Sequence, residues 1–167
     1  VPGPEPTIQH DMIAFAADTK GRRIYTIYFK DLKTGKILDE NIPEATGSME
    51  WANDGKTLFY TKQDLTTLRP DRVMRHTLGN PDDKEIYNEK DDTYEAGIIK
   101  SKTDKYIMIR CEAKLSTEYR ILNANEPYGE FKIFYPRQKA LEYSVIHGGD
   151  RFYILHNKDA KNFKISE

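Results

Sequence analysis

Four histidines, one cysteine and a scatter of serines set the chemistry open to this chain. His10, His76, His147 and His156 do not stand at metal-ligand spacing from one another, from the cysteine or from a carboxylate. A hydrolase-type serine nucleophile needs G-x-S-x-G on a strand-to-helix turn, and that string does not occur. Gly47-Ser48 comes nearest but leads into a strand, and Ser101, Ser116 and Ser144 lack flanking glycines at the right spacing. His147-Gly148-Gly149 is similar to an oxyanion-hole glycine run, yet it lies between two apolar strands and reads as a hairpin turn. Cys111 ends an apolar strand, the setting of a packed thiol rather than a reactive one. Glu89-Lys90-Asp91-Asp92 lacks the spacing of a calcium loop and reads as a solvated charge run. Phosphate-cradling glycine motifs are missing as well. The residues therefore assign no catalytic group, no cofactor site and no metal site. What remains is surface chemistry, and it depends on the elements that present it.

Those elements are strands. Eleven tyrosines, seven phenylalanines and frequent isoleucine favour extended structure. A length of 167 residues suffices for one domain with a real core. A net charge of −1 gives no basic footprint for nucleic acid. No apolar run approaches the roughly 18 residues of a membrane span, and the start, VPGPEPT, is not a secretory leader. One cysteine permits no internal disulfide and is compatible with a reducing compartment, so a cytoplasmic location is expected.

Taken in order, residues 1–11 form an irregular, proline-bearing lead-in, and about fourteen short strands follow with no convincing helix. The pivotal stretch runs from Trp51 to His76. A strand arrives at Trp51, Asn53-Asp54-Gly55 turns it, and Thr57 to Thr61 runs back. Aligning such return strands makes Ile13, Leu58, Ile107 and Tyr153 equivalent, at separations of 45, 49 and 46. Phe15, Tyr60, Ile109 and Leu155 follow two residues later. In the next strand the alternation equates Tyr25, Met74, Tyr119 and Phe163, then Ile27, His76, Ile121 and Ile165. Four strands per repeat of roughly 40–50 residues is the mark of a propeller blade. The reading is all-β: about three and a half four-stranded antiparallel blades of a partial propeller. Its divisions are 12–42 (partial), 43–89, 90–136 and 137–167 (partial), beginning at the second strand of a blade. Trp51, Tyr60, Ile107, Ile109 and Leu155 are expected in the core. Thr61 to Arg72 and Lys90 to Thr93 are expected as loops outside it.

Several runs carry a family resemblance. T19KGRRIYTIYFKDLKTG35, W51ANDGKTLFY60, T67LRPDRVMRHTLG79, Y87NEKDDTY94, L141EYSVIHGGDRFYIL155 and K158DAKNFKI165 resemble the oligopeptidase B group of the prolyl oligopeptidase family of serine peptidases. The resemblance extends from about Met12 onward. It implies a seven-bladed propeller that caps a separate α/β-hydrolase domain. It also implies cleavage of short peptides after Arg or Lys, with the propeller restricting access to small substrates. The chain is similar to the first half of that propeller and holds no part of the hydrolase domain.

On this reading the innermost strands are Gly47 to Trp51, Tyr94 to Lys100 and Glu142 to Ile146. Glu50, Glu95, Lys100 and Glu142 become candidate channel-lining residues, whose carboxylates would draw basic peptides by Coulomb focusing. Arg69, Arg72 and Asp92 become candidate contacts to the catalytic domain. Ala14, Phe15, Ile154 and Leu155 would lie uncovered at the two ends, which favours self-association, with two copies completing one ring as its expected form. Two other functions compete with the peptidase scaffold. One is a non-catalytic propeller that gathers protein partners, and the other is an independent enzyme, which the missing constellations disfavour.

Overall fold

The protein is described by a computed structural model over residues 3–167, and Val1 and Pro2 of the lead-in lie outside the described residues. Every regular element among the described residues is a strand. They are β1 (Glu5–Pro6), β2 (Met12–Ala17), β3 (Tyr25–Asp31), β4 (Ile37–Trp51), β5 (Thr57–Gln63), β6 (Pro70–Thr77), β7 (Lys84–Asn88), β8 (Glu95–Lys100), β9 (Tyr106–Ala113), β10 (Ser116–Asn123), β11 (Lys132–Tyr135), β12 (Tyr143–Gly148), β13 (Arg151–His156) and β14 (Lys164–Ser166). Within each sheet every strand pairs antiparallel with its neighbours in sequence, so the ladders are closed by short local connections. Strands β1 to β7 share one sheet, β8 to β11 a second, and β12 to β14 a third.

Strand β4 explains why two blades share a sheet. A blade boundary was expected between residues 42 and 43, ahead of the inner strand Gly47 to Trp51, and the structure instead runs one strand of 15 residues across it. Its first part pairs with β3 and its last part with β5, and the ladder shifts register between Ala45 and Met49. Glu44 and Gly47 take positive φ, 58° and 93°, which bends the strand from one blade into the next. The outer strand of the first blade thus becomes the inner strand of the second.

The lead-in also differs from its expected form. β1 pairs with β2 through Glu5↔Ala14 and Pro6↔Ile13, so the first blade has its inner strand after all. Trp51 Nε1 donates to the Glu5 carbonyl at 2.8 Å and ties that strand to the second blade. Ala14, expected to be uncovered, is therefore fully buried. The opposite end matches the expectation better. Leu155 is 41% exposed instead of lying in the core, and Ile146, Tyr153 and Ile165 on the same blade are exposed too. Phe15 and Ile154 are half-buried.

Turn chemistry follows the residue types. Gly149 and Asp150 close β12 onto β13, with Gly149 at φ 61°, so His147-Gly148-Gly149 is a hairpin as expected. In Asn53-Asp54-Gly55, the Asp54 carboxylate accepts the backbone N–H groups of Lys56 and Thr57 at 3.0 and 2.9 Å. The loop between β5 and β6 is shorter than the expected Thr61–Arg72. Thr61 and Gln63 are buried in β5, and β6 starts at Pro70, which leaves only residues 64–69 outside the sheet.

The ladders correct the alignment of the third strands. Phe15, Tyr60, Ile109 and Leu155 pair with Tyr28, Met74, Arg120 and Ile165. The true equivalents of Met74 are therefore Tyr28, Arg120 and Ile165, not Tyr25, Tyr119 and Phe163. A slip of one residue inverts a side chain's face. Tyr119 accordingly faces the fourth blade, beside Tyr143 at 5.3 Å, while Arg120 faces the second.

The core sits in the seams. One cluster joins Ala14, Ile27 and Phe29 of the first blade to Trp51, Leu58 and Tyr60 of the second. Another joins Phe59 and Val73 to Ile98, Ile107, Ile109 and Phe131 of the third. A third joins Met108 and Tyr119 to Tyr143 and Val145 of the fourth. Strands β5 and β9 carry buried apolar residues on both faces because the second and third blades are each sandwiched between two others.

Candidate functional site

The inner strands β1, the end of β4, β8 and β12 present the candidate channel residues. Glu50 on β4 accepts the backbone N–H of Lys100 at 2.9 Å, which joins the second blade to the third. Glu5, Glu50, Lys100 and Asp104 border one cleft of about 300 Å³. Lys100 Nζ lies 3.6 Å from Asp104. Burial, with the Glu5 charge in second place, pushes the Glu50 carboxyl up to about 7. Burial also raises Glu5.

Glu95 and Glu142 do not join this group. Glu95 begins β8 and Lys100 ends it, so they occupy opposite ends of the strand. Glu95 stands across from Glu112, itself 3.0 Å from Arg110. Glu142 is held ahead of β12 by Asn157, whose Oδ1 accepts its N–H at 2.9 Å.

The raised Glu50 has a sign that can be measured. A carboxyl raised in the folded state contributes stability below its unfolded value, about 4.5, and loses it as pH climbs through about 7. Glu50→Gln keeps an oxygen for the Lys100 N–H and removes the charge. The variant is expected to gain on the order of 2 kcal/mol over wild type at pH 8, after discounting for partial solvent access, and nothing at pH 4. Urea unfolding at both pH values measures it, and equal differences at the two would remove Glu50 as the cause.

Arg69 and Arg72 are committed inside the chain. Arg69 donates to the carbonyls of Tyr94 at 2.7 Å and of Asp91 and Glu89 at 3.3 Å, so it shapes the loop between the second and third blades. Arg72 lies 2.9 Å from Asp71 and donates to the Gln63 carbonyl at 2.8 Å. Asp92 is exposed on the same loop.

Two buried clusters were not legible in the sequence. The expected solvated run begins with Glu89, which is only 4% exposed. Arg137 lies 2.6 Å from Glu89 and 3.3 Å from Glu118, and it covers the Tyr94 ring at 4.0 Å. Burial alone would raise Glu89, but Arg137 and the Tyr87 hydroxyl bring it down to about 2. One guanidinium thus ties the second, third and fourth blades together. His76 forms the other cluster. Its Nδ1 is 2.7 Å from Asp83, and its ring stacks on Phe29 at 5.5 Å. Glu40 of the first blade stands 3.3 Å from Nε2, within ionic reach but off the hydrogen-bond direction. Asp83 also accepts the Tyr60 hydroxyl at 2.5 Å. The alternation marked His76 as a strand residue, and only the fold brings Glu40 and Asp83 to it.

The remaining chemical candidates are structural. His147 is buried, with Nδ1 2.6 Å from Thr103 Oγ1 and its ring against Tyr106 and Phe152. Ser116 donates to the Gln138 carbonyl. Burial pushes the Cys111 thiol up to about 12, which leaves it protonated and inert. The arrangement can bind and sieve. The one serine–histidine pair among the described residues, Ser166 Oγ at 2.9 Å from His156 Nε2, is exposed, and the other ring nitrogen meets the Lys158 N–H at 3.2 Å instead of a carboxylate that would orient it as a base.

Fold and site together define a sector of a β-propeller, built from stacked blades around a charged inner rim. The chain belongs to the prolyl oligopeptidase family, matching the description "Prolyl oligopeptidase, N-terminal beta-propeller domain" over residues 3–167. It is 44% identical to the dipeptidyl aminopeptidase BI of Pseudoxanthomonas mexicana across 92% of this chain and 22% of that protein. It is 35% identical to Protease 2 of Moraxella lacunata across 95% of this chain and 24% of that protein. Oligopeptidase B from Leishmania major superposes with a TM-score of 0.89 at 27% identity, over 98% of this chain and 24% of that one. The chain therefore spans about a quarter of the length of the relatives it matches.

Proposed function

We propose that this chain is the opening sector of a seven-bladed propeller that caps an α/β-hydrolase domain and restricts it to short peptides. The observation that carries the reading is the seam-packed blade array, matched to the family's propeller domain along residues 3–167. The exposed face of Ile146, Tyr153, Leu155 and Ile165 supports a further blade packing there. In the isolated chain the same face would favour a second copy. Glu95, exposed at the start of the inner strand β8, supports basic peptides as substrates, cut after Arg or Lys. Asp92 is the exposed candidate for contact with the catalytic domain. Cys111, buried and unpaired, is compatible with a cytoplasmic setting.

A second reading comes from the 44% relative, whose name describes removal of dipeptides. On that reading the full polypeptide requires a free amino terminus on its substrate. Fluorogenic dipeptides ending in Arg or Lys, with free or acylated amino termini, separate the two. Turnover of both forms by the full polypeptide supports the endopeptidase, and turnover of the free form alone supports the dipeptidyl peptidase. The 167-residue chain by itself is expected to turn over neither. Equal cleavage of short peptides and an unfolded protein substrate would remove the sieving role.

A further inference from the structure

A cleft of about 390 Å³ opens along the seam between β7 of the second blade and β10 of the third. Two arginines enter it, each laid on a tyrosine. Arg75 covers Tyr128 at 4.5 Å and donates to the Pro127 carbonyl at 3.0 Å. Arg120 covers Tyr87 at 4.7 Å and donates from Nη2 to Glu118 at 3.0 Å. The Nε–H of Arg120 is buried without a partner. Lys84 adds a third cation at the exposed rim, and Ile109 and Phe131 line the apolar side. Glu85 and Glu130 also line the cleft and are exposed, so three cations face two carboxylates.

The geometry points to a binding site for a small organic monoanion in this cleft, a carboxylate on an aromatic or aliphatic body. This goes beyond the peptidase reading and does not depend on it. Guanidinium groups read carboxylates through paired N–H donors. Here both are already held by stacking and hydrogen bonds, so little side-chain entropy remains to be lost on binding. The tyrosine faces and the apolar side accept the body of the ligand, and the volume lies in the range of small-molecule pockets. Glu85 and Glu130 on the lining, with Glu118 already paired to Arg120, oppose a polyanion. Arg120 is left with hydrogen-bonding capacity that the protein does not use.

N-acetyl-4-fluorophenylalanine and its amide serve as probes, read by fluorine NMR line broadening against the full polypeptide. The carboxylate is expected to bind and the amide to bind at least about tenfold more weakly. Lys84→Gln, at an exposed position, and Arg75→Gln are each expected to weaken the carboxylate by about five- to tenfold while the amide is unchanged. Thermal melts confirm that both variants remain folded. Equal broadening by acid and amide, no broadening by the acid, or wild-type affinity in both variants would overturn the site.

Discussion

Arg137→Met is expected to lower the unfolding free energy by about 3 kcal/mol at pH 7, the scale for breaking a buried ion pair from one side. The charge is partly open to water, with the Arg137 side chain 28% exposed, which places the effect at the lower end of that range. Its two partners are different. Glu89 and Glu118 are each only 4% exposed, and while Glu118 keeps Arg120 at 3.0 Å, the variant leaves Glu89 buried with no cation beside it. The pH dependence should reverse as well. In the wild type, Glu89 is depressed to about 2, so its contribution is present above about 4.5 and lost as pH falls toward 2. Without Arg137 the buried Glu89 carboxylate is disfavoured in the folded state, and stability should fall as pH rises past about 5. Urea unfolding between pH 4 and 8 measures both effects. A variant with a wild-type slope, or with a loss below about 1 kcal/mol, would show that the guanidinium is not what holds the three blades.

Phe59→Ala should cost about 3–5 kcal/mol, the range for deleting a buried aromatic ring. Phe59 is fully buried and meets Phe131 edge-on, with centroids 5.4 Å apart at 87°. It lies on β5 of the second blade but packs in the cluster built mainly by the third. The backbone contributes little across this seam, because the β7–β8 connection is a loop and no ladder joins the two sheets. Losing the ring therefore removes apolar contact where no sheet hydrogen bonds can compensate. Hydrogen exchange should rise first in β5 and β8, at the seam, rather than along β9. Leu65→Ala, at a loop residue 49% exposed, is the control and should change stability by less than about 0.5 kcal/mol. Matching losses in the two variants would refute the seam account.

Much of the architecture was legible before the fold was known, for local reasons. Period-two alternation located nearly every strand, and the return strands carrying Ile13, Leu58, Ile107 and Tyr153 aligned correctly as β2, β5, β9 and β13. Turn residues at Asn53-Asp54-Gly55 and Gly148-Gly149-Asp150 identified hairpins through their tolerance of positive φ. The family resemblance was carried by contiguous runs and was likewise visible in one dimension.

The tertiary structure decided everything that depends on a neighbour across a seam. The third-strand register was misread because Tyr25 and Tyr119 alternate as well as their neighbours do, and only the ladders choose between faces; Phe163 lies ahead of β14, two residues from the true partner Ile165. Whether β4 is one strand or two depended on a bend at Glu44 and Gly47 that pairs it on both sides. Glu89 read as solvated because its partner, Arg137, lies 48 residues away in sequence. His76 likewise received Glu40 from the preceding blade. Composition and alternation report what a residue prefers when averaged over environments. Burial of a charge is set by one specific counter-charge, and in a propeller that partner comes from the next blade.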